Sequence, residues 1–561
     1  MKKWFLCLAV TSFVFADPAV YNQIGFNPKA AKKIVVRGNT ADSIEIKDIT
    51  NGKTVLKVKA TAPSLWEASG EKVQVIDISK IETQGTYLAF DQNKIISNNI
   101  FVQENAYINL TKGLLKWFYY QRAGLSLEAK YAGKWARLAG HLDTAAILYG
   151  TEQKRSSPKG WYDAGDYGKY IVNSGISVFT LLNLYEHFPK FCDTLSWQIP
   201  ESRRGKPDLL SEVRWNLDWM MTMQDDDGGV FHKLTTPQFS GSVMPHEDTA
   251  IRVILPKTTA ASLDFAAVMA QASRVYQKND PRFAKNALEA AKKAYQWAKT
   301  NPNVIYKQPA DVNTGSYVPR DENNLDEFRF AAAELFTSTT NKAYLKDLEE
   351  NPFNANGPWW GDVNFLAVYR IASTPKLYKT MSKTAKDTLI KVAEHLKEVA
   401  NTSAYGLPIE KSNWVWGSNS AVANNGIILL YAYYLTKDTS YLNSAQQALD
   451  YVLGRNPLNM SYVSGFGFKS PKEPHHRPSE ADAIDDPVPG MVAGGPHSGK
   501  HDIGTEPWKC KDYTTEDKHA LNYTDNQCSY ATNEVAINWN APVAYLAGAL
   551  QAIYNGYQFN P

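Results

Sequence analysis

The feature that most constrains this chain is a change of hydrophobic period near Ala106. Before it, apolar residues gather in short alternating or continuous runs; after it they recur three and four residues apart, and that pattern lasts to the end. The early runs are Lys33-Ile34-Val35-Val36, Ser43-Ile44-Glu45-Ile46, Thr54-Val55-Leu56-Lys57-Val58, Val73-Gln74-Val75-Ile76 and Thr86-Tyr87-Leu88-Ala89-Phe90. Asn-Gly, Ser-Gly and Gln-Gly turns separate them, which predicts a small all-β sandwich over residues 17–104.

Beyond the change, Leu110, Leu114, Leu115 and Phe118 share one helical face, and so do Leu210, Val213, Leu217, Met220 and Met221. Further segments near 171–187, 259–277, 282–299, 324–337, 361–373, 380–400, 418–436, 440–453 and 533–555 bring the total to about a dozen helices. Their connecting loops are often long and hold Gly, Pro, Trp and Asp. So many helices of ~15 residues predict a toroid of helical hairpins over residues 105–561 rather than one bundle. In the β region, Gly85-Thr86-Tyr87 resembles the tyrosine corner of immunoglobulin-like domains, without their Cys-Trp-Cys pattern.

The chain opens Met-Lys-Lys, runs through apolar Trp4 to Val10 and reaches Phe15-Ala16-Asp17. This reads as a secretory signal over residues 1–16, too short for a membrane span, which needs roughly 20 apolar residues. An exported, monomeric protein with no membrane span is expected. With 60 basic and 57 acidic residues the net charge is only +3, which gives no electrostatic case for nucleic acid and favours a neutral partner. The 15 Trp and 31 Tyr suit carbohydrate contact. Of four cysteines, Cys7 leaves with the signal, Cys510 and Cys528 are candidates to pair after export, and Cys192 is expected as a buried thiol.

Chemistry collects in three places. Gly160-Trp161-Tyr162-Asp163-Ala164-Gly165-Asp166-Tyr167-Gly168 sets two carboxylates three residues apart among glycines and rings. It reads either as a site or as a turn whose aspartates cap the helix from Ile171. Pro474-His475-His476-Arg477-Pro478 offers hydrogen bonds to sugar hydroxyls, since adjacent histidines chelate a metal poorly. Tyr530-Ala531-Thr532-Asn533-Glu534 places an acid among aromatics, where desolvation keeps a proton on it for general-acid work; charge at a helix start is the alternative.

Tyr523-x-Asp525-x4-Tyr530-x3-Glu534-x-Ala536-x3-Asn540-Ala541, Ser461 to Arg477, and Asp163-Ala164-Gly165-Asp166 resemble three signatures of glycoside hydrolase family 9, the cellulases. The resemblance runs from about residue 106 to the end, and the module before it looks like the immunoglobulin-like domain of one branch of that family. It implies an (α/α)6 barrel that hydrolyses a β-1,4-glucan with inversion and needs no cofactor. Asp166 would be the base, Asp163 would help hold the water, and Glu534 would be the acid; His475 and Arg477 would bind sugar. Asp525 belongs to the signature and is placed with the catalytic group. His232, Tyr405, Trp414, Trp416 and Tyr530 would line the cleft, each tryptophan having barrel core as its alternative. Inversion itself needs two carboxyls roughly 6.5–9.5 Å apart, which residues so distant in sequence can supply from opposite loops.

Relatives with the module often carry a structural zinc held partly by two cysteines. Here Gln121-Arg122 precedes Ala123, and Gly140 precedes His141, so zinc is not expected. Asp225-Asp226-Asp227-Gly228 and Asp482 to Asp486 leave room for structural Ca²⁺, with solvated turns as the alternative. The rivals to an endoglucanase are an exo-acting cellobiohydrolase or glucosaminidase relative, a non-catalytic carbohydrate-binding protein, and a lyase on an α/α toroid.

Overall fold

The computed structural model describes residues 18–38, 42–202, 205–319, 324–349 and 356–560; the signal segment expected over 1–16 lies outside them. The strands form as the alternation requires. One sheet runs Ala19–Val20, Lys33–Arg37, Glu71–Asp77, Ser64–Trp66; the other runs Thr54–Lys59, Ser43–Asp48, Gly85–Asp91, Lys94–Ile95, with Ile100–Val102 also on Gly85–Asp91. Ile34, Val36 and Ile76 from the first meet Ile44, Ile46 and Ala89 from the second in a separate apolar core. Tyr87 closes the corner by donating its hydroxyl to the Thr83 carbonyl at 2.8 Å.

Twelve helices of seven residues or more follow among the described residues, alternately outer and inner along the chain. The inner six are Ile171–His187, Thr259–Val275, Leu325–Thr339, Asn364–Ser373, Ser418–Thr436 and Ile537–Tyr554, and they are buried nearly all round. Outer helices bury one stripe: Pro281–Thr300 covers Phe283, Ala284, Ala287, Ala290, Ala291, Ala294 and Ala298, as a 3.6-residue period dictates. The result is an (α/α)6 barrel.

One end of the barrel is shut. Near the C-terminal ends of inner helices, Tyr369 stacks on Tyr431 with centroids 3.4 Å apart, and His187 sits between the hydroxyls of Tyr545 at 2.6 Å and Tyr369 at 2.5 Å. Arg370 bridges Glu186 and Glu334, each at 2.7 Å. At the other end, long connections at 121–170, 223–258 and 453–536 each lead from an outer helix into an inner one. Loops on a rigid scaffold are where binding residues collect, so this end is the candidate face.

The β-sandwich is seated on the barrel. Trp66 packs on Tyr405 and Trp414 at 4.6 and 6.3 Å, the Tyr405 hydroxyl donates to Glu71 at 3.0 Å, and the Asn22 amide donates to Asp450 at 2.8 Å. Ala520 N–H donates to the Ala68 carbonyl at 3.0 Å, so the module also braces the loop leading to Tyr530.

Candidate active site

The aspartate turn does not cap a helix. The helix begins at Ile171 with Tyr170 at its N-cap and no side-chain cap. The turn is instead clamped by three remote segments. Gln121 donates its amide to the Ala164 carbonyl at 2.9 Å, Ile537 N–H reaches the Asp163 carbonyl at 2.8 Å, and Arg477 N–H reaches the Gly165 carbonyl at 3.1 Å. His475 pairs in parallel with Glu534, its N–H donating to the Asn533 carbonyl at 3.0 Å. Residues more than 300 positions apart in the chain therefore share one backbone cluster at the start of the inner helices Ile171–His187 and Ile537–Tyr554.

Within the cluster the three acids differ. Asp163 is buried, with Oδ1 accepting from Asn173 and Oδ2 from the Tyr317 hydroxyl, both at 2.5 Å. Burial, then the charge of Asp166, pushes its pKa up to about 8 against those donors. Asp166 accepts from Gly168 N–H at 2.9 Å and the Tyr170 hydroxyl at 3.2 Å, both on Oδ2. Glu534 is raised well above the ordinary glutamate range by burial and by Asp166, with Arg477 opposing. The Arg477 Nε–H donates to the Ser240 carbonyl at 2.7 Å, and its guanidinium lies 5.5 Å from the Phe239 ring. His475 Nδ1 lies 2.6 Å from the Gln527 carbonyl and so carries its hydrogen there; burial lowers its pKa, which leaves Nε2 an acceptor.

Other residues singled out in the sequence fall elsewhere. His232 is buried, stacked at 4.1 Å on Tyr306, with its nitrogens taken by Thr258 and the Ser316 carbonyl, so it has no free edge for a sugar. Tyr405 and Trp414 are buried under Trp66 at the seam with the β-sandwich and do not line a cleft. Asp525 accepts from Lys472 N–H, Glu473 N–H and the Asn533 amide at 2.8, 3.0 and 3.1 Å, and so ties the histidine loop to the segment that carries Glu534. His476 turns inward to Gln121 Oε1 at 3.0 Å, a strut beneath the turn rather than a sugar contact.

Trp416 and Tyr530 do come together, 5.5 Å apart, with Tyr530 6.2 Å from His475 and Trp416 41% exposed. On the Asp163 side, Tyr317 packs edge-on to Trp360 at 5.0 Å, and Trp360 to the exposed Trp359 at 4.8 Å. Sequence reasoning missed Tyr317, Asn173, Trp359 and Trp360. Asn173 stood ten residues beyond Asp163 in the first turn of an apolar helix, where a buried amide was the available signal.

Three of the carboxylates considered for Ca²⁺ are paired with lysines. Lys257 bridges Asp225 and Asp227 at 2.8 and 2.7 Å, and Asp486 is held by Lys134 at 2.7 Å and Lys472 at 3.2 Å. His141 lies between the Tyr162 hydroxyl at 2.8 Å and Asp248 at 3.1 Å, while Ala123 is buried against Tyr162 and Tyr167. Those side chains do not fit a four-ligand zinc site. Cys510 and Cys528 are joined, with Cα atoms 5.2 Å apart, and Cys192 is a buried thiol.

Residues 107–547 match the model of glycosyl hydrolase family 9, and residues 17–91 match that of the cellulase N-terminal ig-like domain. The chain belongs to glycosyl hydrolase family 9. It is similar, at 38% identity over 98% of this chain and 96% of the relative, to a xyloglucan-specific endo-beta-1,4-glucanase of Bacteroides ovatus. Endoglucanase D of Acetivibrio thermocellus is 32% identical over 96% of this chain and 84% of that protein. A family 9 structure from Bacteroides ovatus superposes with TM-score 0.87 at 36% identity, covering 96% of this chain and 99% of that one. As a family 9 hydrolase the chain is a glycosidase acting on β-glucan.

Proposed function

We propose that this hydrolase is an exported endo-β-1,4-glucanase that cleaves cellulose and related β-glucans with inversion. The observation that supports it most is the division of labour among three acids in one backbone cluster. Glu534 is held protonated, and Asp166 keeps Oδ1 clear of the bonds that Gly168 and Tyr170 make to Oδ2. In the step we infer, Asp166 takes a proton from water as the water oxygen bonds to the anomeric carbon. The glycosidic C–O bond breaks, and Glu534 gives its proton to the departing oxygen. Asp163, tethered by Asn173 and Tyr317, orients the water; His475 and Arg477 hold the sugar. Phe239, Trp416 and Trp359 expose flat faces on different sides of the cluster, which suits a chain of neutral sugars.

The test is hydrolysis of a soluble unbranched β-1,4-glucan and of a xyloglucan, because the Bacteroides ovatus relative is named for the latter. Viscosity should fall early relative to reducing ends released, and NMR should show the α anomer first. A β anomer at first appearance would sink inversion. Release of cellobiose with viscosity unchanged would replace endo with exo action.

A further inference from the structure

The carboxyl cluster precedes the N-termini of the inner helices Ile171–His187 and Ile537–Tyr554. A second hollow lies past their other ends. A cavity of about 540 Å³ is lined by Phe191, which follows the first helix, by Asn555 and Tyr557, which follow the second, and by Gln103, Asn105 and Asn109 on the way out of the β-sandwich. Seventeen residues of helix separate the two faces by about 25 Å, so this hollow is no extension of the catalytic cleft.

Its lining is chemically specific. Not one lining residue is charged, yet Gln103, Asn105, Asn109 and Asn555 contribute four carboxamides. The Asn555 amide donates to Asn105 at 3.3 Å, whereas Gln103 and Asn109 have no side-chain partner among the described residues. The aromatic side is built deliberately. Tyr557 meets Phe191 edge-on at 5.4 Å, and the tip of the Phe466 ring abuts the outer helix Ile108–Tyr120 because Gly113 has no side chain; a β-carbon there would stand 2.2 Å from its Cζ. Carboxamides that both donate and accept, facing rings with apolar faces, match the alternating hydroxyls and C–H faces of a pyranose. The volume is in the range of small-molecule sites, which favour domain junctions of this kind.

We propose that this hollow is a second, non-catalytic site for a short neutral oligosaccharide of the β-1,4-glucan class. The ligand class rests on the glucanase reading above. The experiment titrates cellotriose into the full chain carrying Glu534→Gln, alone and with Asn109→Trp or Asn109→Ala, while wild-type hydrolysis of cellotriose is followed in parallel. Asn109→Trp fills the hollow and should abolish one binding event; Asn109→Ala should weaken that event about tenfold, the worth of an amide–hydroxyl hydrogen bond. In the active chain Asn109→Trp should leave kcat and KM on a short cello-oligosaccharide unchanged, and a melting curve checks its fold. A titration that both Asn109 variants leave unchanged overturns the proposal. Hydrolysis without an Asn109-dependent event sinks the second site alone; such an event without hydrolysis sinks the glucanase reading alone.

Discussion

A β-carbon on Gly165 would stand 2.1 Å from the carbonyl oxygen of His475. The aspartate turn and the histidine loop thus meet backbone to backbone, and no flexible side chain is present to give way. Gly165→Ala should push the two apart by a fraction of an ångström to an ångström. Misplacement of that order costs about 10²-fold in rate, and overpacking a tight contact costs about 1–3 kcal/mol of stability. Steady-state kinetics and thermal melting of this single variant check both; wild-type kcat would show that the contact does not set the catalytic geometry.

The same contact explains how far the sequence could be read. Period alone located the five described strands of five residues or more and nearly every long helix, because an inner helix such as Thr259–Val275 and an outer one such as Pro281–Thr300 each carry the pattern their burial requires. The resemblance located Asp163, Asp166 and Glu534. What it could not separate was a tryptophan in a cleft from one in a seam. Trp414 and Trp416 stand two residues apart, yet the first is buried and packs against Trp66 from the other domain while the second is exposed. Tyr317 was invisible for a related reason: its role depends on a hydrogen bond to Asp163, 154 positions away, and no local pattern encodes it.

In the proposed mechanism Glu534 acts while protonated, so activity should decline as pH rises through its elevated pKa. Glu534→Gln removes the proton that the leaving oxygen needs. On a cello-oligosaccharide kcat should drop by about 10²–10⁴-fold. On an aryl glycoside whose leaving group needs no proton the loss should be much smaller, and the decline at high pH should vanish. Equal losses on both substrates would assign the proton to another residue.

Asp163 ties stability to pH, and the sign is fixed by its raised pKa. The folded chain holds this proton where the unfolded chain has released it. The stabilising contribution is therefore complete below the unfolded value of about 4 and is lost as pH rises through about 8. Glu534 acts in the same direction, while the buried His187, His232 and His476, each pushed down to about 3, act oppositely below their unfolded range. The clean measurement is the difference between wild type and Asp163→Asn, in which the three histidines cancel. The melting-temperature gap should move in favour of the variant between pH 5 and pH 8, a window set by those two pKa values. A gap independent of pH would mean that Asp163 titrates as it would in water.

Trp414 and Trp416 supply the sharpest contrast. Trp414 is 2% exposed and packs edge-on against Trp66, so Trp414→Ala should leave a cavity at the seam and cost about 3–5 kcal/mol. Its KM should hold, because the ring faces no substrate. Trp416 is 41% exposed beside Tyr530, so removing it uncovers little core. Trp416→Ala should keep the wild-type melting temperature yet raise KM on long glucans by up to about tenfold, the scale of one lost aromatic contact. Tyr405→Phe gives an independent check on the seam: losing the hydroxyl's bond to Glu71 should lower stability by about 1 kcal/mol and leave KM alone. If the KM effects instead follow Trp414 and Tyr405, the sugar path runs along the seam and not past Tyr530.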